Sequence, residues 1–333
     1  MSGTPRVVVA DPVTSEFEKR WRDALAGMPV DLGLVKDQSL ASLHSAVHGA
    51  SVVITKRVRA DGALLEAAGP RLTEIIKLSN WPLDIDQHAC ERRGVRVKLI
   101  RQHGAISVAE QAMALALTCA KQVLPGHIAV AEGRYREFGL EPATTADRSF
   151  KAEWVPIHPF ELYGRTLGIV GLGEIGRELA VRANAFSMNI LYYKRNRLPE
   201  WIEKELRATY SELDRLLEKS DFVSLHVPHA PETEKMIGRD ELRRMKHTAY
   251  LINTSRGGVI DQEALVTALR TRQIAGAGLD VFNKEPVPYD DPILSLDNVV
   301  LSPHAGGGSH FGLLQWKTDV RQSIERALGI EVT

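Results

Sequence analysis

The sequence predicts an α/β protein made of two domains, each built on a doubly wound parallel sheet. Short runs rich in Val, Ile and Leu alternate with helical segments along most of the chain. The runs are apolar throughout, which is typical of parallel strands that helices cover on both faces. The 333 residues also exceed what one ordinary hydrophobic core holds, which favours two domains of roughly 150 residues each.

The elements follow in order along the chain. The pattern predicts strands at 7–10, 51–54, 74–78, 95–99, 167–170, 190–193, 222–226, 249–253, 275–281 and 299–301. It predicts helices at 15–25, 41–47, 64–68, 84–93, 174–185, 211–217, 261–269 and 310–328. The alternation resumes near Thr166 and is stronger there, which predicts the second parallel-sheet domain.

A helix after Ser107 joins the two halves. Ser107 and Glu110 have the spacing of a capping box, in which the hydroxyl accepts a backbone N–H and the carboxylate reaches back. This helix is apolar nearly all round, so we expect it either inside the protein or at a subunit interface. The irregular stretch 137–162 then predicts a long loop, with an arm that crosses to a second subunit as one reading.

Composition excludes several classes of protein. Lys and Arg total 42 and Asp and Glu total 42, so a nucleic-acid coat or a polybasic membrane binder is not expected. No apolar run approaches the length that spans a bilayer, and the start of the chain lacks a signal-peptide pattern. Cys90 and Cys119 show no disulfide or metal-ligand spacing. We therefore expect a cytoplasmic protein without a metal site.

A glycine-rich turn supplies the first functional motif. Residues 167–176 read L-G-I-V-G-L-G-E-I-G, which is G-x-G-x-x-G between an apolar strand and a helix. Gly171 permits a tight turn, Gly173 lets the backbone approach a pyrophosphate, and Gly176 lets the helix pack closely on the strand. The first helical residues, Glu174 and Ile175, carry the N-terminal N–H groups that face phosphates. The motif predicts a dinucleotide-binding Rossmann unit.

The residues after the next strand bear on which dinucleotide binds. An NAD site places Asp or Glu there to bind the ribose hydroxyls. Here the strand ends in Lys194, Arg195, Asn196 and Arg197. Basic side chains attract a 2′-phosphate, so we predict a preference for NADP(H), with NAD(H) as the alternative cofactor and a solvated turn that binds nothing as the alternative role.

Three further segments end predicted strands of the same domain. They are 251–261, which contains N-T-S-R-G-G, 276–288, which contains G-L-D-V-F-N-K-E-P, and 301–308, which contains S-P-H-A-G-G. Ligands of doubly wound sheets bind at the carboxyl ends of the strands. Each segment therefore places a polar or charged side chain where a ligand is expected.

With these motifs in this order, the chain resembles the D-isomer-specific 2-hydroxyacid dehydrogenases, including their glyoxylate and hydroxypyruvate reductases. The resemblance implies that Arg256 holds the substrate carboxylate and polarises the keto oxygen. It also implies that His304 is the general acid/base and that Glu285 pairs with it. These residue types suit the reaction. A histidine titrates near neutral pH, and a neighbouring carboxylate stabilises the imidazolium. An arginine binds a carboxylate through two hydrogen bonds.

The resemblance also implies cofactor contacts and a domain arrangement. Cofactor contacts are expected from Thr254, Ser255, Asp280 and His304, and from the loop containing His226, Val227 and Pro228. A Rossmann cofactor domain at 104–304 would be inserted into a flavodoxin-like substrate domain at 1–103 and 305–333, with the site in the cleft between them. The partners implied are a small 2-oxo or 2-hydroxy acid and a second copy in a homodimer, and no nucleic acid or membrane.

The chain departs from the family after the strand at 74–78. The family has a glycine-rich loop there, and its backbone N–H groups bind the substrate carboxylate. Here the loop reads S-N-W-P-L-D, without glycine and with a proline that has no N–H. Either Asn80 and Trp81 contact the substrate, through amide donors and an aromatic wall, or a neighbouring N–H does this work.

Two rival functions stay open at this point. Phosphite and formate dehydrogenases look similar, although formate enzymes pair the histidine with Gln, and Glu285 counts against that version. The family's transcriptional corepressors are cofactor-sensing proteins that bind partners, and they can keep all three catalytic residue types.

Overall fold

The structure is a computed structural model, and it describes residues 3–37, 39–144, 155, 157–307 and 310–330, without the side chains of His310 and Phe311. Residues 145–154 and 156 of the loop predicted at 137–162 therefore lie outside the described residues. The chain divides into two compact units after His103 and after Gly308.

The parallel-sheet fold class is confirmed, since each unit contains one sheet whose strands all pair in parallel. The strands are β1 (Arg6–Val9), β2 (Asp31–Leu34), β3 (Val52–Thr55), β4 (Glu74–Leu78), β5 (Arg96–Ile100), β6 (Thr166–Val170), β7 (Asn189–Tyr193), β8 (Ala208–Tyr210), β9 (Phe222–Leu225), β10 (Tyr250–Asn253), β11 (Gly276–Leu279) and β12 (Val299–Leu301). The α-helices are α1 (Ser15–Ala24), α2 (Leu40–Val47), α3 (Gly62–Ala68), α4 (Gln87–Arg92), α5 (His103–Lys121), α6 (Val123–Ala131), α7 (Glu174–Ala185), α8 (Glu200–Leu206), α9 (Leu213–Lys219), α10 (Arg239–Arg244), α11 (Gln262–Arg270) and α12 (His310–Leu328).

The first unit is a five-stranded sheet in the order β2-β1-β3-β4-β5. One face packs against α2, α3 and α4 through residues such as Val47 and Leu65. The other face packs against α1 and α12, where Trp21, Val320 and Ile324 are buried. The C-terminal helix is thus part of the core of the first unit.

The second unit is a seven-stranded sheet in the order β12-β11-β10-β9-β6-β7-β8. The chain builds outward from β6 to β8 and then returns to β9 on the other side of β6. The strand order therefore reverses between β6 and β9, which is the switch point where doubly wound sheets bind ligands. The segments singled out from the sequence follow β6, β7, β9, β10, β11 and β12 at this carboxyl edge.

The capping box predicted at Ser107 is wrong. Helix α5 begins at His103, one turn earlier, so Ser107 lies inside the helix. Its hydroxyl donates to the Gly306 carbonyl at 2.6 Å, and Glu110 pairs with Arg182 at 2.8 Å. Ser107 and Glu110 therefore form tertiary contacts within the second unit and do not cap the helix.

The second domain boundary also differs from the prediction. The described residues as far as Gly307 belong to the second unit, whereas the sequence placed the return to the first domain after His304. Asp280 explains the shift, because its carboxylate accepts the N–H groups of Ala305 at 3.0 Å and Gly306 at 2.9 Å. These bonds tie the turn to β11.

Helices α5 and α6 form a pair bent by 58°. In the described part of the chain no single helix is long and apolar enough to cross a membrane, although this bent pair passes that test on length and composition alone. Most apolar positions of α5 are buried, in agreement with the interior reading of that helix.

Candidate active site

The glycine turn after β6 has the backbone geometry that its sequence predicts. Gly171 has φ +99°, in the region that favours glycine, and a Cβ there would come within 2.7 Å of the His226 carbonyl oxygen. A Cβ on Gly176 would lie 2.5 Å from the Gly171 carbonyl oxygen. A Cβ on Gly173 would meet nothing within 4 Å. Gly171 and Gly176 therefore serve close packing, whereas Gly173 borders open space at the start of α7.

This contrast gives a matched pair of variants. We expect Gly176→Ala to lower the free energy of unfolding by about 1–3 kcal/mol, because backbone must move to admit the methyl group. We expect Gly173→Ala to keep wild-type stability and to weaken dinucleotide binding, because its methyl group projects into the open space. Urea unfolding measures the stability of each variant, and titration with NADPH measures its affinity for the dinucleotide. Equal stability of Gly176→Ala and wild type would contradict this reading of the turn.

The basic turn after β7 divides into two parts. Arg197 forms two 2.8 Å hydrogen bonds with Glu203, whose carboxylate also accepts the Tyr192 hydroxyl at 2.6 Å. The hydrogen bond from Arg197, opposed by partial burial, holds the pKa of Glu203 below its usual value. Arg197 thus stabilises the turn, while Arg195 lies exposed and pairs with Glu232 at 3.0 Å. The cofactor contact of Lys194 and Arg195 remains a prediction.

Two buried polar atoms at this edge have no hydrogen-bond partner within the described residues. They are the Oγ1 atom of Thr254 and the Nδ1 atom of His226. The other ring nitrogen of His226 lies 2.8 Å from the Ser224 hydroxyl, and burial lowers the pKa of His226 to about 3. The ring is therefore neutral at physiological pH. Buried polar atoms normally have hydrogen-bond partners. A dinucleotide bound beside the glycine turn would supply partners for these two atoms.

Arg256 follows β10 in a braced turn. The Asn253 side chain accepts the Ser255 N–H at 3.0 Å and donates to the Arg256 carbonyl at 3.0 Å. Gly257 lies so close to the next loop that a Cβ would come within 2.0 Å of the Phe282 carbonyl carbon. The lack of a side chain at Gly257 therefore lets the Arg256 turn lie directly against the loop that carries Glu285.

His304 and Glu285, which the sequence predicts as an acid/base pair, lie within hydrogen-bond distance of each other. The Nδ1 atom of His304 lies 2.6 Å from Oε2 of Glu285, whose other oxygen accepts the Phe282 N–H at 2.9 Å. Burial acts to raise the pKa of Glu285, but these two hydrogen bonds and the charge of Arg256 outweigh it, and the net pKa lies below its usual value. Glu285 is therefore a carboxylate at neutral pH, and its contact occupies Nδ1 of His304 and not Nε2. His304 has φ +54°, an uncommon conformation for a residue with a side chain.

Asp280 has a structural task that the sequence did not indicate. Its buried carboxylate accepts the Ser302 hydroxyl at 2.6 Å as well as the N–H groups of Ala305 and Gly306. Gln111 donates to the Ser302 hydroxyl at 2.8 Å from α5. Asp280 thus braces the His304 turn, and its contact with a cofactor remains a prediction.

Asn80 and Trp81 belong to the first unit, where they follow β4. Ser79 and Trp81 bond reciprocally, since the Trp81 N–H donates to the Ser79 hydroxyl at 3.0 Å and that hydroxyl donates to the Trp81 carbonyl at 2.9 Å. The buried Lys77 ammonium donates to the Lys56 carbonyl at 2.8 Å. The loop without glycine is thus held by its own side chains. The backbone N–H of Trp81 already donates a hydrogen bond to Ser79.

Two further histidines, His103 and His229, lie near carboxylates. His103 lies 3.1 Å from Asp319, and His229 lies 3.4 Å from Glu234 and covers Gly258. Within the described ranges no group of three or more His, Cys, Asp or Glu side chains has a metal-binding arrangement.

A seven-stranded parallel sheet with this glycine turn, and with a histidine–carboxylate pair and an arginine at its carboxyl edge, defines a dinucleotide-dependent oxidoreductase. The family model described as "D-isomer specific 2-hydroxyacid dehydrogenase, NAD binding domain" matches residues 113–306. The chain belongs to the D-isomer-specific 2-hydroxyacid dehydrogenase family.

Relatives agree with this assignment. The chain is 45% identical to a glyoxylate reductase of Korarchaeum cryptofilum over 75% of this chain and 71% of the relative. It is 41% identical to the glyoxylate reductase of Thermococcus litoralis over 78% of this chain and 73% of that protein. Among solved structures it resembles a glyoxylate reductase from Paecilomyes thermophila, with 26% identity, a TM-score of 0.58 and coverage of 98% and 96% of the two chains. It also resembles the D-lactate dehydrogenase of Aquifex aeolicus complexed with NAD and lactic acid, with 27% identity, a TM-score of 0.54 and coverage of 97% and 95%.

Proposed function

We propose that this protein reduces a small 2-oxo acid to the D-2-hydroxy acid with NADPH, using His304, Glu285 and Arg256. The observation that carries the proposal is the 2.6 Å His304–Glu285 pair beside the Arg256 turn. The glyoxylate reductase relatives support a 2-oxo acid as substrate. The experiment that tests the proposal is turnover of NADPH with a panel of 2-oxo acids; no turnover with any of them would favour a cofactor-sensing protein.

The dinucleotide fits the residues of the second unit. The open space at Gly173, the N-terminal N–H groups of α7 at Glu174 and Ile175, and the buried Thr254 and His226 atoms are suited to hold it. Val227, Pro228, Ser255 and Asp280 complete the proposed contacts, and Gly171 and Gly176 allow the close packing that shapes the turn. When bound, the nicotinamide supplies the hydride that reaches the substrate C2.

Side chains of the protein bind the substrate carboxylate and supply the proton. Arg256 binds the substrate carboxylate through paired hydrogen bonds and polarises the keto oxygen. His304 donates the proton from Nε2 to that oxygen, and Glu285 stabilises the imidazolium before the transfer. In the first unit, Asn80 and Trp81 remain the substrate contacts that the sequence predicts.

We further propose that Lys194 and Arg195 favour NADPH over NADH by binding the 2′-phosphate. We expect Lys194→Asp to lower kcat/KM for NADPH by about 10- to 100-fold, since hydrogen bonds to charged groups contribute about 1.5–3 kcal/mol. The value for NADH should change much less. Lys219→Asp, at an exposed position of α9 in the same unit, is the control for the charge change itself. A wild-type enzyme that prefers NADH would contradict the proposal.

A homodimer is proposed from helix α6. Its sequence VLPGHIAVA is apolar, yet Val123, Leu124, Ile128 and Val130 are exposed, with Val130 at 53%. Exposed apolar side chains grouped on one helix indicate an interface, and we propose that a second copy covers them.

The oligomeric state tests this proposal. We expect the wild type to sediment as a dimer and Val130→Asp to sediment as a monomer, because a buried carboxylate has no partner in an apolar interface. Val181→Asp places the same change on α7 at 48% exposure and should leave the dimer intact. A monomeric wild type, or equal behaviour of the two variants, would overturn it.

A further inference from the structure

The hydroxyl group of Tyr192 is the centre of a hydrogen-bond network beside the basic turn. Tyr192 belongs to β7 and is fully buried. Its hydroxyl donates to Oε1 of Glu203 at 2.6 Å and accepts the backbone N–H of Leu198 at 3.0 Å. Burial, together with the Glu203 carboxylate, raises the pKa of Tyr192 to about 12, so the hydroxyl keeps its proton at neutral pH. The network joins a strand, a helix and the segment between them.

The ring of Tyr192 is held in place by a second tyrosine. Tyr192 pairs in register with Tyr210 of β8, and the two ring centroids lie 5.6 Å apart in an edge-to-face arrangement. The hydroxyl of Tyr210 has a different partner, since it donates to Glu212 at 3.0 Å. The two neighbouring tyrosines therefore differ in what their hydroxyl groups hold.

The segment 194–197, which contains the basic turn, is anchored at its start. The carbonyl oxygen of Tyr193, at the end of β7, accepts the N–H of Gly171 at 2.9 Å. The glycine turn and the basic turn are thus joined by a backbone hydrogen bond. A dinucleotide whose pyrophosphate lies at the glycine turn would meet the basic turn at a fixed distance.

The same segment is anchored at its end. The Arg197 guanidinium donates to both carboxylate oxygens of Glu203 at 2.8 Å, one residue before the N–H of Leu198 that the buried hydroxyl accepts. Lys194 and Arg195 lie between the two anchors. A loop held at both ends loses little conformational freedom when it binds a ligand, which improves affinity without a new contact.

We propose that the Tyr192 hydroxyl is a positioning group for cofactor selectivity, because it holds the turn in which Lys194 and Arg195 meet the 2′-phosphate of NADPH. Tyr192 acts through the turn and does not touch the cofactor. This inference rests on the proposed preference for NADPH. NADH has no 2′-phosphate, so its binding depends much less on the position of the turn.

Fluorescence titration of the full chain with NADPH and with NADH tests the proposal, and it requires no turnover. We expect Tyr192→Phe to weaken NADPH binding by about three- to tenfold, the loss expected for one hydrogen bond, and NADH binding by less than about twofold. The substitution removes one oxygen atom and keeps the net charge. Tyr210→Phe makes the same change on the neighbouring strand and should bind both cofactors as the wild type does.

Arg197→Lys is a second variant that keeps the net charge. A lysine does not reproduce the paired hydrogen bonds to Glu203. We therefore expect about three- to tenfold weaker NADPH binding and unchanged NADH binding. Because both variants release the same anchor, the loss in the double variant should be smaller than the product of the two single losses. Fully independent losses would contradict a shared anchor.

Three other results would overturn the proposal. They are unchanged NADPH affinity in both variants, equal losses for NADPH and NADH, and equal losses in Tyr192→Phe and Tyr210→Phe. A wild type that binds NADH more tightly than NADPH would contradict the proposed cofactor preference and this inference with it. A wild type that prefers NADPH, with variants that behave like it, would contradict this inference alone. Urea unfolding of each variant separates loss of binding from loss of fold.

Discussion

Replacing His304 with Gln is expected to lower kcat for 2-oxo acid reduction by about 10²- to 10⁴-fold, the range that a positioned general acid contributes. Gln can still donate a hydrogen bond, but it cannot release a proton to the keto oxygen. The Nδ1 atom of His304 lies 2.6 Å from Glu285, so Nε2 is the atom that we propose as the proton donor. Steady-state kinetics with NADPH and a 2-oxo acid measure the effect, and NADPH affinity should stay close to that of the wild type.

His247→Gln is the control for this prediction. His247 is exposed, lies in the same unit, and contacts the Gln273 carbonyl at 3.1 Å. It should leave kcat unchanged. If His304→Gln retained more than a tenth of wild-type kcat while the control behaved as expected, His304 would not be the acid.

Replacing Arg256 with Gln is expected to lower kcat/KM for the 2-oxo acid by about 10²- to 10⁴-fold, because two charge-assisted hydrogen bonds contribute about 1.5–3 kcal/mol each. KM should rise through loss of the carboxylate contact, and kcat should fall through loss of polarisation. Arg256→Lys should recover only part of the loss, since an ammonium does not reproduce the paired geometry.

Arg243→Gln on α10 is a control for the change of charge, since Arg243 is exposed and pairs with Asp240 at 3.4 Å. The cofactor dissociation constant separates two explanations of a loss in Arg256→Gln. A change confined to cofactor binding would contradict the substrate role of Arg256.

Much of the fold could be predicted from residue patterns. Apolar strands such as β4 and β9 and the turn at Gly171, Gly173 and Gly176 are visible because local chemistry specifies them. Strands β2 and β8 were not predicted: their sequences D-L-G-L and A-T-Y are short, and each contains polar or small residues. Pairing with neighbouring strands stabilises them, and that information is not local.

The candidate site, like the fold, could be predicted from the sequence only in part. The residue types at Arg256, Glu285 and His304 could be found from the strand-end motifs, and the structure brings Glu285 and His304 within hydrogen-bond distance. The support behind them could not be found, because Asp280 braces residues 302–306 across a gap in sequence of more than twenty positions. Ser107 shows the opposite error, where a correct local motif is overridden by a tertiary contact with Gly306.

In the basic turn, tertiary contacts decide which of the basic side chains are available to a ligand. Lys194, Arg195 and Arg197 form one cluster in the sequence, but Glu203 binds Arg197 through two hydrogen bonds. Glu203 lies on α8, and nothing in the charge pattern marks it as a partner. The proposed phosphate contact therefore narrows to Lys194 and Arg195.

The configuration of the product tests the central claim most directly. NADPH would be incubated with a panel of prochiral 2-oxo acids, and the 2-hydroxy acids formed would be resolved by chiral chromatography. The account predicts oxidation of NADPH with formation of the D-isomer by the wild type, and both at a rate about 10²- to 10⁴-fold lower in His304→Gln. Formation of the L-isomer, or no turnover of any 2-oxo acid by the folded wild-type protein, would contradict it.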